Sequence, residues 1–351
     1  MNILILGASY GSLLGTKMAL AGHNVHLVCL PEEANAINSD GVLLRLPTRG
    51  RDEPVEICSR DLPGTVSAGS PGDVRIGDYD LTALAMQEPQ YRFPEISELL
   101  GQIAEAGVPC ISIMNMPPLP YLRRIPGLDT ESLRDCYTEP AVWDDFNPEL
   151  FTLCSPDPQA FRPPGEPANV LQVTLPTNFK AARFGDGTIN HLLETLDRDT
   201  NTKTWLVDGH DIVLPVKLKL HESIFVPTAK WAMLLTGNYR CVQSDGVRSI
   251  SEAVHNDIDA SREIYNWVCD MCIRLGASPS DMVPFEKYAN AAQGLLKPSS
   301  AARALVANAT YIERVDRLVQ RIGIQHGIAH PEIDQTVALV DSWLQKNSKV
   351  A

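Results

Sequence analysis

The chain opens with Met1-Asn-Ile-Leu-Ile-Leu-Gly7-Ala-Ser-Tyr-Gly11-Ser-Leu-Leu-Gly15, and this stretch decides the fold. Its apolar run from Ile3 to Leu6 is typical of a buried parallel strand. A turn of glycines and small residues follows, and apolar residues then recur at helical spacing up to Gly22. A second apolar run spans 24–29. The order strand, turn, helix, strand predicts the βαβ unit that binds dinucleotides.

The turn departs from the full G-x-G-x-x-G pattern at two positions. In the frame that starts at Gly7, Ser9 and Ser12 replace the second and third glycines. Backbone N–H groups at the start of the following helix would hold a pyrophosphate. The predicted cofactor-binding residues of the turn are Gly7, Ala8, Ser9, Tyr10, Gly11 and Ser12. The alternative is a glycine-rich turn of an α/β domain that binds no ligand.

Composition limits the classes of function. The 351 residues suffice for two domains. A net charge of −13 argues against a nucleic-acid partner. The chain has no apolar run of the roughly 18 residues that a transmembrane helix needs, and its N-terminus does not resemble a signal peptide. Eight scattered cysteines are typical of a reducing compartment, so we expect a cytoplasmic protein that does not contact membranes.

One cysteine pair, Cys269 and Cys272, has C-x-x-C spacing. The apolar residues around it share one helix face, and no second cysteine or histidine pair follows. We therefore interpret the pair as part of a helix core, and we predict no metal site.

Strands alternate with helices up to residue 115, which predicts a doubly wound parallel sheet. Ligands of such sheets lie at the carboxyl ends of the strands. This rule places the Gly7 turn, Leu30, Gln87 and Asn115 on one rim. Three later segments are predicted as strands that complete the sheet: 170–175, 181–184 and 204–207.

Residues 117–167 differ in composition from the rest of the chain. They contain many of its prolines together with several aromatic residues, which is too aromatic for a disordered linker. We expect either a lid over the rim or a surface elaboration that could include a dimer contact.

From about His221 onward the pattern is helical. The predicted helices span 221–238, 248–275, 281–296, 299–324 and 331–346. We therefore predict a dinucleotide-binding domain at 1–215, with 117–167 inserted in it, and a helical substrate domain at 216–351.

A dinucleotide domain followed by a helical domain suggests a dehydrogenase. Reduction of a carbonyl needs a proton donor near the developing alkoxide. Lys230 stands alone in an apolar helical stretch, with Asn238 two turns further on. The lysine is either this donor, partly buried, or a surface residue with an apolar stem.

The chain resembles the ketopantoate reductase (2-dehydropantoate 2-reductase) family over nearly its whole length. The resemblance rests on the glycine turn and on the order of six further segments: Gly22–Val28, Ser39–Leu44, Ile111–Asn115, Lys230 with Asn238, Lys297–Ser300, and Gln325–Pro331. It implies a Rossmann-type parallel sheet domain followed by an all-helical C-terminal domain like that of 6-phosphogluconate dehydrogenase.

The resemblance also implies roles for individual residues. Lys230 would be the general acid, and Asn115 would lie between the nicotinamide and the substrate. Asn238, Ser299 and Ser300 would bind substrate oxygens.

The family's glutamate, which binds the substrate hydroxyl, has no unambiguous counterpart in this chain. Glu313 is the nearest carboxylate, whereas alignment from the His326-Gly327 end would place Tyr311 there. The alternative for Glu313 is a solvent-facing helix residue.

Three positions depart from the family pattern. Leu30 and Gln87, at predicted cofactor-binding positions, replace an arginine and a lysine. The family uses NADPH, but losing two cations favours NADH. Leu234 replaces the first asparagine of the lysine helix, which suggests a substrate other than ketopantoate.

The leading hypothesis is an NAD(P)H-dependent oxidoreductase that reduces a 2-oxo acid or a related carbonyl. One alternative is an opine-type dehydrogenase that uses His221, which we expect on the helix before Lys230. Another is a dinucleotide-binding protein without catalysis. A homodimer remains open in each case.

Overall fold

The computed structural model describes residues 1–48, 53–156, 160–174 and 177–349. The chain divides into two compact units. The first, here called the sheet unit, comprises Met1–Met86, Gln90–Met114 and Val142–Glu222. The second, the helical unit, comprises Gln87–Pro89, Asn115–Ala141 and Ser223–Ala351.

The strands of the described residues are β1 Asn2–Leu6, β2 Asn24–Val28, β3 Leu43–Leu46, β4 Val55–Cys58, β5 Val66–Gly69, β6 Leu81–Leu84, β7 Cys110–Ser112, β8 Phe151–Pro156, β9 Ala160–Phe161, β10 Val170–Val173, β11 Thr177–Ala182, β12 Trp205–Val207, β13 His210–Ile212 and β14 Val216–His221. The α-helices are α1 Tyr10–Leu20, α2 Pro31–Asp40, α3 Pro94–Ala106, α4 Leu119–Leu122, α5 Asn190–Thr202, α6 Lys230–Met233, α7 Ile250–His255, α8 Ile258–Arg274, α9 Phe285–Ala292, α10 Ser300–Val306, α11 Val315–Gln325 and α12 Pro331–Ser348.

The main sheet of the sheet unit has the order β14-β11-β8-β7-β6-β1-β2-β5. Every neighbouring pair in it is parallel except β8 with β11. Ile3 to Leu6 of β1 are fully buried, because β2 and β6 flank the strand and both faces of the sheet are covered. The predicted parallel sheet is thereby confirmed.

Two predicted additions to this sheet are wrong. Residues 170–173 form β10, which pairs with β3 in a separate four-stranded sheet of order β4-β3-β10-β9, and Leu175 lies outside the described residues. Within the described part of the chain, β12 pairs with β13 alone, in a two-stranded hairpin. An apolar run indicates a strand but does not specify its partner, which explains both errors.

The region 117–167 is not one inserted body. Its first part belongs to the helical unit, whereas residues from Val142 onward belong to the sheet unit. There β8 pairs with β7, and buried Phe151 packs edge-on against Trp143 and Phe146. The stretch from Val142 to Pro156 therefore belongs to the core of the main sheet; residues 157–159 lie outside the described ranges.

The helical unit is divided more finely than the sequence predicts. The predicted helix 248–275 is two helices in the structure, α7 and α8. Asp257 starts the second one, because its side chain accepts a hydrogen bond from the Ala260 N–H and so caps α8. The helix predicted at 281–296 is α9, which begins only after Pro284. The helix predicted at 331–346 agrees with α12. Cys269 and Cys272 lie on α8, with Cys272 in the core as predicted.

The predicted helix 221–238 is wrong at its start. β14 continues to His221 and pairs with β11, so the compact units divide after Glu222 rather than at residue 215. Pro227 opens a 3₁₀ turn, Pro227–Ala229, and α6 follows it.

Among the described residues, no helix is both long and apolar enough to cross a membrane.

Candidate active site

The Gly7 turn lies in the sheet unit, between β1 and α1. Gly7 has a φ of +106°, and a Cβ there would come 2.7 Å from Met86 Cγ and 2.8 Å from the Ala85 carbonyl oxygen. The Gly7 N–H donates to the Val28 carbonyl at 2.8 Å, so the turn is held against β2. Only glycine fits this conformation and this space.

Close packing of α1 on the strands is achieved differently from the full glycine pattern. A Cβ on Gly11 would lie 2.7 Å from Ile5 Cγ2, so this glycine permits the close approach. Ser12, at the position of the third glycine, is buried and donates to the Ala8 carbonyl at 2.5 Å. Ser9, which precedes the helix, is exposed and makes no side-chain cap. The turn therefore keeps α1 close to the strands despite its two serines.

A charged pair lies where β2 ends and α2 begins. Leu30 is 68% exposed there, and its N–H donates to the Glu33 carboxylate at 3.2 Å. The Arg162 guanidinium pairs with the other oxygen of Glu33. Its second Nη lies 3.5 Å from the Ala8 carbonyl of the turn. Sequence analysis missed this cation, because Arg162 is far from β2 along the chain.

A pocket of about 400 Å³, counting solvent at its mouth, lies within the helical unit. Its lining residues are Gln87, Asn115, Leu234, Asn238, Tyr239, Ser300, Ala301, Ala304, Ile312 and Glu313. One part of the lining is polar and the other aliphatic, as in pockets for small organic ligands. Four segments far apart in sequence contribute to it.

The helix that follows Lys230 contains a π turn, Leu234–Asn238. A Cβ on Gly237 would overlap the Tyr288 hydroxyl, which donates instead to the Met233 carbonyl at 3.1 Å. The wider turn thus has a partner for a carbonyl that an α-helix would satisfy internally. π turns of this kind are frequent at functional sites, and Leu234 and Asn238 both line the pocket.

The predicted helix 299–324 is interrupted, and the interruption forms one wall of the pocket. Asn308 has a φ of +62°, which ends α10, and α11 begins only at Val315. Asparagine after a helix is a known stop signal that the sequence analysis overlooked. Ile312 and Glu313 therefore lie in a connecting loop rather than on a helix.

Two anchors hold this loop. Tyr239 donates its hydroxyl to the Glu313 carbonyl at 2.5 Å and accepts from the Val315 N–H at 3.1 Å. Arg314 forms a two-pronged ion pair with fully buried Asp316, at 3.0 and 2.9 Å. Such planar pairs fix direction as well as distance. Glu313 is therefore held in place from both sides.

Glu313 is a buried carboxyl in a mixed electrostatic environment. Burial raises its pKa to about 7, and the nearby Glu88 carboxylate adds to the rise. The Glu88 N–H and the Asn115 amide, each 3.4 Å from one carboxyl oxygen, and the charge of Lys230 oppose it. The group can thus hold or release a proton near neutral pH.

The Glu88 carboxylate is itself buried and accepts from both the N–H and the hydroxyl of Thr138, each at 2.9 Å. The first part of 117–167 therefore contributes a support for the Glu313 environment, which sequence analysis did not foresee. Asn115 Oδ1 is buried and accepts no hydrogen bond from the described residues. A buried acceptor of this kind suits a hydroxyl or amine of a ligand.

The serine pair divides its roles. Ser300 is exposed and lines the pocket. Ser299 is buried, caps α10 by accepting from the Ala302 N–H, and donates to the Asn238 carbonyl at 2.7 Å. Its hydroxyl therefore links two walls of the pocket and is not part of the lining.

Lys230 begins α6 and is half-buried. It does not line the pocket, but it is close enough to Glu313 to lower the pKa of that carboxyl. Tyr311 is 51% exposed and outside the lining, so Glu313 is the residue that the pocket contains. His221 ends β14 in the sheet unit, so it does not lie on the helix expected for an opine-type role.

No family model and no curated protein matches the chain. Solved structures do match it. D-mandelate dehydrogenase with NADH and anilino(oxo)acetate has a TM-score of 0.64 at 16% identity over 99% of both chains. The 2-dehydropantoate 2-reductase of Methylococcus capsulatus has 0.66 at 15% identity over 99% of this chain and 98% of that one. That of Geobacter metallireducens GS-15 has 0.64 at 15% over 97% and 99%.

The chain is therefore similar in fold to the 2-dehydropantoate 2-reductases and D-mandelate dehydrogenase over nearly its full length. This confirms the predicted fold class, a Rossmann-type sheet followed by a helical C-terminal region.

Proposed function

We propose that the chain is an NAD(P)H-dependent oxidoreductase that reduces the carbonyl of a small 2-oxo acid. The observation that carries the proposal is the pocket of the helical unit, where Asn115, Asn238, Ser300 and Glu313 meet. A buried carboxyl that titrates near neutral pH, beside amides and a hydroxyl, is typical of acid–base chemistry on a polar ligand.

The residues of the Gly7 turn fit a dinucleotide. Gly7 packs at positive φ against Ala85 and Met86, which leaves no room for a Cβ, and α1 begins directly after the turn. Reduced nicotinamide, when bound, supplies a hydride. The fold similarity to D-mandelate dehydrogenase solved with NADH supports this cofactor class.

The polar residues in and near the pocket then have the following roles. Lys230 donates the proton to the alkoxide oxygen as the general acid. Asn238 and Ser300 bind the substrate carboxylate, and Asn115 Oδ1 accepts from a hydroxyl. Glu313, held in place by Tyr239 and by the ion pair of Arg314, orients the product hydroxyl through a hydrogen bond.

The aliphatic side of the pocket indicates the substrate. Leu234, Ala301, Ala304 and Ile312 line it, and Leu234 is 4% exposed. A 2-oxo acid with a branched or aromatic side chain would bury apolar surface against these residues. D-mandelate dehydrogenase, which shares the fold, was solved with anilino(oxo)acetate, and this supports testing aromatic acids first.

The test is calorimetric titration with NADH and NADPH, followed by cofactor oxidation across a panel of aliphatic, branched, aromatic and hydroxylated 2-oxo acids. We expect micromolar binding of one cofactor and turnover with an apolar acid. Tight binding without turnover on any acid would indicate a non-catalytic dinucleotide-binding protein. Absence of binding would reject the dinucleotide assignment. Adding amino acids to the panel tests the opine-type alternative.

A further inference from the structure

The junction of β2, α2 and the Gly7 turn carries two opposite charges that the fold class alone does not require. Glu33 belongs to the first turn of α2, and Arg162 follows β9, more than a hundred residues later. Their carboxylate and guanidinium are paired. In dinucleotide-binding sheets, the pyrophosphate lies at the glycine turn and the adenosine ribose lies near the end of the second strand. The Glu33–Arg162 pair thus lies where the adenosine ribose of a bound dinucleotide would be recognised.

Both partners are held in position. The Glu33 side chain is 13% exposed, and its second oxygen accepts from the Leu30 N–H. The Arg162 side chain is 33% exposed and also reaches the Ala8 carbonyl of the turn. Cys29 is close to both charges: burial raises the pKa of its thiol to about 12, Glu33 adds to this rise and Arg162 opposes it.

We propose that Glu33 and Arg162 form the subsite for the adenosine ribose and that this pair selects NADH over NADPH. The inference rests on the proposed dinucleotide function. The Glu33 carboxylate has lone pairs left to accept from the 2′- and 3′-hydroxyls. A 2′-phosphate would meet that carboxylate, while the Arg162 guanidinium is already neutralised by it.

Because the Glu33–Arg162 pair sets the preference for NADH, a substitution in the pair should shift it toward NADPH. Without the carboxylate at position 33, Arg162 has donors free for a phosphate, and the repulsion disappears. Glu33→Gln keeps the size of the side chain and removes its charge. It should therefore raise the affinity for NADPH relative to NADH at least about tenfold.

The experiment titrates NADH and NADPH calorimetrically into the full chain and three variants: Glu33→Gln, Arg162→Ala and the double variant. We expect NADH preference in the unchanged chain, a shift to NADPH in Glu33→Gln, and a much smaller shift in the double variant, which lacks the freed guanidinium. Glu56→Gln is the matched control, because it removes one partner of the Arg45 ion pair in the same unit. It should leave the ratio of affinities unchanged.

Three results would overturn the inference: NADPH preference in the unchanged chain, an unchanged ratio in Glu33→Gln, or a shift of equal size in the double variant. A thermal-unfolding scan of each variant separates a purely structural pair, which would lower stability but leave the ratio alone. If the unchanged chain binds neither cofactor, the dinucleotide function itself fails. Binding of both with a ratio that no variant moves rejects only the role of the pair.

Discussion

The two candidate sites of this molecule are built from different parts of the chain's chemistry. In the sheet unit the site is mainly backbone, formed by one continuous segment around Gly7. In the helical unit it is mainly side chains, contributed by segments near residues 87, 115, 234–239 and 300–313. A backbone site tolerates changed side chains as long as its backbone conformation and close packing are kept. A side-chain site can change its preferred ligand when one lining residue changes.

The largest expected effect comes from the side-chain site. Lys230→Ala should lower kcat by about 10²–10⁴-fold, because the proton donor to the alkoxide is lost. Cofactor affinity, which we assign to the sheet unit, should stay the same. Steady-state kinetics with the best acid of the panel, together with calorimetry, measures both.

The matched control for this change is Lys287→Ala, an exposed lysine on α9 of the same unit. It should leave kcat unchanged. Turnover of the Lys230 variant within about twofold of the unchanged chain would remove the lysine from the mechanism.

A single methyl group added to the Gly7 turn should disrupt the backbone site. Gly7→Ala places a Cβ 2.7 Å from Met86 Cγ at a φ of +106°. The free energy of unfolding should fall by about 2–5 kcal/mol from strain and overlap together, and cofactor binding should weaken with it. Urea unfolding and calorimetry measure the two effects.

Gly22→Ala separates strain from overlap. Gly22 has a φ of +91° but nothing within 4 Å of an added Cβ. It should cost only about 1–2 kcal/mol and leave cofactor affinity intact. Equal losses in both variants would contradict the role of close packing at Gly7.

The pH dependence of stability tests the side-chain site without a substrate. The pKa of Glu313 rises from 4.5 to about 7 on folding, so the folded chain holds this proton more tightly than the unfolded one. Its contribution to stability is complete below about pH 4.5 and decreases as the pH rises through 7, by up to about 3 kcal/mol. Unfolding by urea at pH 5 and pH 8 should show this decrease in the unchanged chain.

Glu313→Gln removes the titrating group, so its stability should fall less between pH 5 and pH 8. Glu105→Gln, an exposed glutamate on α3, should behave like the unchanged chain. Parallel pH profiles for all three proteins would show that Glu313 has no raised pKa.

The smallest expected effect concerns substrate choice. Leu234→Asn puts an amide where the ketopantoate reductase pattern has one, and kcat/KM for a hydroxylated 2-oxo acid should rise about tenfold relative to an apolar one. Leu234→Ala controls for lost apolar contact alone. If both variants change the ratio equally, the amide has no part in specificity.

Much of the sheet unit could be predicted from local pattern. β1, the Gly7 turn, α1 and β2 lie next to one another in the chain, so their periodicity and turn residues were sufficient. In the helical unit the periodicity was also visible, but its interruptions were missed. Asn308 and Asp257 were the stop and start signals, and overlooking Asn308 left Glu313 on a helix instead of in the wall of a pocket.

Pairing over long separations could not be predicted in the same way. β8 joins the main sheet and β10 does not, although both are short apolar runs. The support of Glu313 by Glu88 and Thr138 also depends on contacts between distant segments. Sequence spacing carries no information about such contacts without a second, independent constraint.

The sequence by itself determined the dinucleotide-type turn, the parallel sheet and the identity of the chemistry-bearing residues, because each depends on neighbours along the chain. Only the tertiary structure decided which of those residues share a pocket, that Ser299 supports it while Ser300 lines it, and that Arg162 reaches the end of β2. Burial and charge proximity set pKa values and ion pairs, and both are properties of residues brought together in space.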